Sequence, residues 1–327
     1  MTRSTRTSPP EVPDAPSVRS RLAATAAEYG LRPINCAVPL NRPGVWFART
    51  LIATIMELSG PPIRGTEIRQ VREPGVRGEW VRAPGVRFAD RAVYYIHGSG
   101  YVLCSARTHR GLASRLSRRT GLPVFVVDYR LAPEHRFPAA ADDIAAGFRW
   151  LLDQGYRAGD LVIAADSAGG HLTLDLLLEN AARGTGQPAA VAMFSPLIDL
   201  TFTLAAEQEQ RRRDPVISAS AARRLPRVYT SGHPDDTPRL RLSVAAGTAL
   251  PPILVQAGGA EMLSADARHL SRMVRAAGGD CTLEIWPGQV HVFQALPRLA
   301  PEADAALDRA ADFLCAALMA KSPRKVS

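Results

Sequence analysis

Ser167 lies in Ala165-Asp166-Ser167-Ala168-Gly169-Gly170, directly after the apolar run Leu161-Val162-Ile163-Ala164 and just before a helix-like stretch from His171 to Asn180. A serine flanked by very small residues, at a strand end that runs into a helix, fits the sharp turn called a nucleophile elbow. Its strained backbone leaves no room for bulky neighbours. The first glycine usual in that pattern is Ala165 here, and small residues after a strand also serve plain strand-to-helix packing. Nucleophilic use of Ser167 therefore requires two further parts. A base must take the hydroxyl proton, and backbone donors must meet the oxyanion that acyl transfer creates.

The chain offers both. The apolar run Ala92-Val93-Tyr94-Tyr95-Ile96 leads into His97-Gly98-Ser99-Gly100-Tyr101, a nearly side-chain-free turn whose N–H groups can approach a substrate oxygen closely. Gly98, Ser99 and Gly100 are the candidate donors in that turn, and the N–H of Ala168 at the helix start is another; which of the turn's three are used is not legible. The candidate base is His291, on a loop after the strand-like run Cys281 to Ile285. His109, His171 and His269 fall in helix-like segments, His233 in a polar turn and His135 in a Pro-rich loop, where packing or surface roles fit better. An acid must fix the imidazole tautomer, and two compete after the run Pro252 to Gln256. Glu261 sits in the loop, whereas Asp266 stands where the next helix begins and can simply cap it, so Glu261 is favoured.

These residues must be carried by a scaffold, and the apolar patterning supplies one. Strand-like runs fall at Gly65 to Val71, Gly78 to Ala83, Ala92 to Ile96, Pro123 to Tyr129, Leu161 to Ala165, Ala189 to Ser195, Pro252 to Ala257 and Cys281 to Ile285. Helix-like stretches at Arg107 to Arg119, Ala139 to Gln154, Gly170 to Arg183, Ala265 to Gly278 and Pro301 to Lys321 alternate with the later ones. That alternation predicts an α/β fold, a mostly parallel sheet covered on both faces, with functional groups at the carboxyl ends of its strands. Two further helices are expected around Ser20 to Tyr29 and Val45 to Ser59, and Met1 to about Ser20, rich in Ser, Thr, Pro and Arg, reads as a disordered tail. A segment from Thr201 to about Thr248, carrying Arg211-Arg212-Arg213-Asp214, interrupts the alternation as an insertion.

Taken together, the chain resembles the hormone-sensitive-lipase-like bacterial esterases of the α/β-hydrolase family, whose signatures are HGGG and GDSAG. The likeness runs from about Val93 to the C-terminus. His97-Gly98-Ser99-Gly100 is similar to HGGG, Ala165 to Gly170 to GDSAGG, and Asp128 to His135 with Phe137-Pro138-Ala139 to a DYRLAPEHxFPA segment. The order serine, acid, histidine is that of α/β-hydrolases. In the resembled family the acid precedes its histidine by about thirty residues, as Glu261 precedes His291, although Asp is the commoner residue there. The resemblance implies an α/β-hydrolase fold with a helical cap, made of residues 21–60 and the insertion at about 201–248, on a catalytic domain spanning 61–327. It assigns Asp128, Arg130 and Glu134 to bracing the neighbouring oxyanion turn. The expected reaction is cofactor- and metal-independent hydrolysis of a small-molecule ester with a short or medium acyl group, acetyl included. The alternatives are an amide, acetyl or lactone hydrolase for one metabolite, or a small-molecule receptor on the same scaffold that has lost catalysis.

Composition is consistent with this. The 327 residues are 46% hydrophobic, enough for one large core. A net charge of +9 and a pI near 9.9 invite a nucleic-acid reading, but the charge is scattered, carried almost wholly by arginine, and accompanied by no nucleic-acid motif. Cys36, Cys104, Cys281 and Cys315 form no C-x-x-C pair, which argues against a zinc or redox centre and suits the cytoplasm. No run matches a signal peptide or a membrane span. Oligomeric state is left open, a homodimer being one option.

Overall fold

Successive side chains of a strand point to opposite faces, and here the two faces bury two different clusters. The computed structural model describes residues 10–98 and 100–320. Within them, strands β1 (Glu67–Glu73), β2 (Val76–Arg82), β3 (Ala92–Ile96), β4 (Val124–Val127), β5 (Leu161–Asp166), β6 (Val191–Phe194), β7 (Ile253–Gly258) and β8 (Cys281–Trp286) form one sheet in the order β1-β2-β4-β3-β5-β6-β7-β8. β2 runs antiparallel to both β1 and β4, and the remaining pairs are parallel. The mostly parallel α/β-hydrolase sheet expected from the sequence is thus present. β1 ends two residues later and β2 starts two residues earlier than the patterning suggests, because they join through a two-residue turn with Glu73 opposite Val76.

On one face, Val93, Tyr95, Val124, Val126, Val162 and Ala164 pack against α4 (Ala106–Thr120) and α11 (Glu302–Ala320). On the other, Tyr94, Ile96, Phe125, Ile163, Ala165 and Val191 pack against α5 (Ala139–Asp153), α6 (Ala168–Arg183) and α10 (Ser264–Ala276). Every residue of β3 to β7 is buried, as strands covered on both faces require.

The N-terminal region departs from the sequence reading. It holds α1 (Val18–Ala26), a π-helical turn at Ala27–Leu31, α2 (Arg32–Ala37) and α3 (Arg42–Ser59). Pro33 and Pro43 do not break these helices because each lies in a first turn, where no intrahelical N–H bond is needed. The disordered tail placed up to Ser20 is corrected for the described residues from Pro10 onward. Ser17 caps α1, and Glu302 accepts the Ser17 N–H at 2.6 Å and the Ser20 hydroxyl at 2.6 Å. The Pro10 carbonyl accepts from Arg309 at 2.8 Å, and Val12 packs near Trp286. The segment after β6 carries α7 (Thr203–Arg211), α8 (Ala219–Ala222) and α9 (Arg224–Thr230). No helix among the described residues is long and apolar enough to cross a membrane.

Candidate active site

Ser167 occupies the turn between β5 and α6 with φ 50° and ψ −122°, a strained conformation for a residue with a side chain. Its neighbours explain the need for small residues. A Cβ on Gly169 would come within 2.1 Å of the Ile96 carbonyl oxygen, and one on Gly98 within 2.2 Å of the Asp166 carboxylate. Ala165 escapes this limit. Its methyl belongs to the buried core cluster with Ile96 and Ile163, so alanine for the usual glycine is accommodated by packing.

The three distant residues picked from the sequence meet. His291, on the loop after β8, places Nε2 3.0 Å from the Ser167 hydroxyl and Nδ1 2.5 Å from Glu261 Oε2. Glu261 is 1% exposed and its other oxygen accepts the Gly258 N–H and the Ser195 hydroxyl, each at 2.6 Å. Burial lowers the basicity of His291, but the adjacent Glu261 carboxylate, helped by Asp214 and Asp166, holds its pKa above the ordinary 6.5. Asp266 does not reach the imidazole. Its Oδ1 accepts the N–H groups of Ile198 and Asp199, each at 2.8 Å, so it fixes the loop after β6. Burial pushes its pKa up to about 7.

Two polar residues at this site were not singled out by sequence reasoning. Ser195 directly follows β6, donates to Glu261 and accepts the Val292 N–H at 3.0 Å, tying the acid to the histidine loop. Asp214 was noticed only as part of a charge run, yet it is 1% exposed and lines the cavity around Ser167. No local signal marks their link to the site, because Glu261 and Val292 are remote from Ser195 and Met262 is remote from Asp214 in sequence.

The candidate oxyanion turn is held from beneath. Asp166 accepts the Tyr95 hydroxyl at 2.7 Å and lies 3.3 Å from His109 Nε2. Burial favours its neutral form, but His109, Tyr95 and the Gly98 N–H keep its pKa below the usual carboxylate value. The Gly98 N–H is thus among the groups that favour the Asp166 carboxylate. Gly100 lines the cavity beside Ser167, and Ala168 opens α6; Ser99 lies outside the described residues. His97 is fully buried, stacked 4.3 Å from Tyr129, and burial lowers its pKa to about 4. It is a neutral packing element. The Asp128 to Glu134 segment braces this region. Asp128 accepts the first N–H of α4 at 3.1 Å, Arg130 chelates Asp143 on α5, and Glu134 pairs with Arg49 on α3 at 2.9 Å. The Ala132 N–H bonds to the Tyr101 carbonyl at 2.9 Å, directly behind the turn.

A cavity of about 310 Å³ opens over Ser167 and His291. Its walls are mostly apolar, with Leu51, Ile55 and Met56 from α3 and Val216, Ile217 and Leu225 from the insertion. The arrangement can hold an uncharged acyl compound against an activated hydroxyl.

Comparison with known proteins agrees with this geometry. A profile of a family described by the alpha/beta hydrolase fold matches residues 93–295. The carboxylesterase/phospholipase LipF of Mycobacterium tuberculosis (strain ATCC 25618 / H37Rv) is 33% identical over 316 residues, covering 91% of this chain and 82% of that one. An acetyl-hydrolase of Streptomyces hygroscopicus is 36% identical over 236 residues, covering 72% and 78%. The crystal structure of an esterase from the bacterial hormone-sensitive lipase family is similar with a TM-score of 0.83 at 33% identity, covering 93% of this chain and 99% of that one. Fold, elbow and relatives agree, and the chain belongs to the α/β-hydrolase family, in its hormone-sensitive-lipase-like bacterial esterase branch.

Proposed function

We propose that this protein is a serine carboxylic ester hydrolase acting on short-to-medium acyl esters through an acyl-enzyme. The observation that carries the reading is the unbroken relay from the Ser167 hydroxyl through His291 to Glu261, at 3.0 and 2.5 Å. His291 Nε2 takes the hydroxyl proton as Ser167 Oγ attacks the ester carbonyl, and Glu261 stabilises the resulting imidazolium. The N–H groups of Ala168 and of the turn at 99–100 receive the oxyanion. His291 then returns its proton to the leaving alcohol. Water, activated by the same imidazole, attacks the acyl-enzyme and releases the acid. The relatives named carboxylesterase and acetyl-hydrolase support this substrate class.

Helices α1 to α3 and the insertion serve as the cap in this reading, since both contribute walls to the cavity. Leu51, Ile55 and Met56 then limit the acyl or alcohol group that fits. Cys36, Cys104 and Cys281 are free thiols, which supports a reducing, cytoplasmic setting. A panel of p-nitrophenyl esters from acetate to decanoate tests the proposal. The expected result is turnover greatest on the shorter members and absent in Ser167→Ala; wild-type protein that hydrolyses none of them, or a Ser167→Ala variant that retains turnover, refutes it.

A further inference from the structure

Asp214 is a buried carboxylate on the insertion whose every accepting contact among the described residues is a backbone N–H. Oδ1 accepts from Val216 at 2.8 Å and Ile217 at 3.2 Å, and Oδ2 accepts from Met262 at 2.8 Å. Val216, Ile217 and Met262 all line the cavity over Ser167, and Met262 also directly follows Glu261. Asp214 itself lines that cavity and is 1% exposed. A charge this deeply buried is costly unless its partners are fixed, and here all of them are.

We propose that Asp214 is a positioning residue that locks the substrate-facing wall of the insertion to the turn carrying Glu261. The proposal rests on the reading of Ser167, His291 and Glu261 as the reacting relay. One carboxylate thus makes cavity shape and acid placement a single unit, so a substrate that displaces the wall also displaces the acid. The groups that act on it are Glu261 from the acid turn and His291 from the loop after β8; the other charge near His291 is Asp166 from the elbow. Burial and Glu261 raise the pKa of Asp214, and the Met262 and Val216 N–H groups and His291 oppose this.

Asp214→Asn separates this role from plain packing. Asparagine has one acceptor, so its amide nitrogen must face either Met262 N–H or the Val216 and Ile217 N–H groups, donor against donor. The expected result is a kcat on p-nitrophenyl butyrate lower by up to about 10²-fold, the cost of a small misplacement of reacting groups. The acid limb of kcat/KM should also move to lower pH, because the imidazolium loses a nearby negative charge. A folded variant with kcat and acid limb unchanged overturns the proposal. Should the variant not fold, wild-type protein decides. The amide resonance of Met262 should titrate with the midpoint of the His291 ring, and a Met262 amide silent to that titration overturns the coupling. Failure of the ester-hydrolase reading itself shows separately, as wild-type protein without turnover.

Discussion

Replacing Glu261 by glutamine tests the relay through a conflict that the surrounding hydrogen bonds dictate. Oε1 of Glu261 accepts from the Gly258 N–H and from the Ser195 hydroxyl. The Gly258 N–H can only donate, and the Ser195 oxygen already accepts the Val292 N–H, so its proton points toward residue 261. The single oxygen of glutamine is therefore held at the Oε1 position, and its NH₂ faces His291 Nδ1, where Oε2 now lies 2.5 Å away. A donor there forces Nδ1 to accept and puts the imidazole proton on Nε2, the atom that must receive the Ser167 proton. Side-chain volume and both structural bonds are kept, so the loss is one of tautomer and charge. A wrong tautomer in such a relay costs about 10⁴ in kcat, or about 5.5 kcal/mol of barrier. The assay is kcat on p-nitrophenyl butyrate, with intact folding shown by an unchanged far-UV CD spectrum. A Glu261→Gln enzyme within about tenfold of wild type would refute the reasoning.

Three other outcomes follow from the same geometry. Ser195→Ala removes a charge-assisted bond to Glu261 and orphans the Val292 N–H, a loss of about 1.5–3 kcal/mol that should appear as roughly 10- to 150-fold lower kcat with little change in KM; a change confined to KM would contradict it. His291 must be neutral to take the serine proton and its pKa is raised, so activity is lost as pH falls through that raised value. The acid limb of kcat/KM should have its midpoint above 6.5, and a midpoint at or below 6.5 would be inconsistent with the Glu261 contact. Asp266 is raised to about 7 in the folded state, so the folded protein binds more protons than the unfolded chain between about pH 4 and 7, and stability from this group declines as pH rises through that window. Asp266→Asn mimics the protonated form and keeps an acceptor for Ile198 and Asp199. Its Tm relative to wild type should improve from pH 5 to pH 8 while turnover falls far less than in Glu261→Gln; a pH-independent Tm difference would show that Asp266 is ionised throughout.

Much of this molecule was legible in its sequence for identifiable reasons. Strands buried on both faces read as unbroken apolar runs, as in Leu161-Val162-Ile163-Ala164, so the central strands fall within a few residues of their expected limits. The elbow was legible because Gly169, two residues after Ser167, is demanded by backbone atoms of Ile96 and His97 within about 3 Å. Long-range polar contacts were not. Ser195 in Phe194-Ser195-Pro196 and Asp214 in Arg213-Asp214-Pro215 look like ordinary turn residues, and their partners Glu261 and Met262 stand 66 and 48 positions away. The segment before α1 reads as a free tail because its anchor, Glu302, is 285 residues distant from Ser17.

The central claim is that the Ser167 hydroxyl, and no other, is made nucleophilic by His291. A p-nitrophenyl phosphonate offers the same attack but yields a stable adduct, so intact-mass spectrometry followed by peptide mapping reads the nucleophile directly. One phosphonyl group per chain, on Ser167, with labelling abolished in Ser167→Ala and slowed by several orders of magnitude in His291→Ala, is the result predicted here. Adduct on a different side chain, or labelling of Ser167 at an unchanged rate without the imidazole, would contradict it.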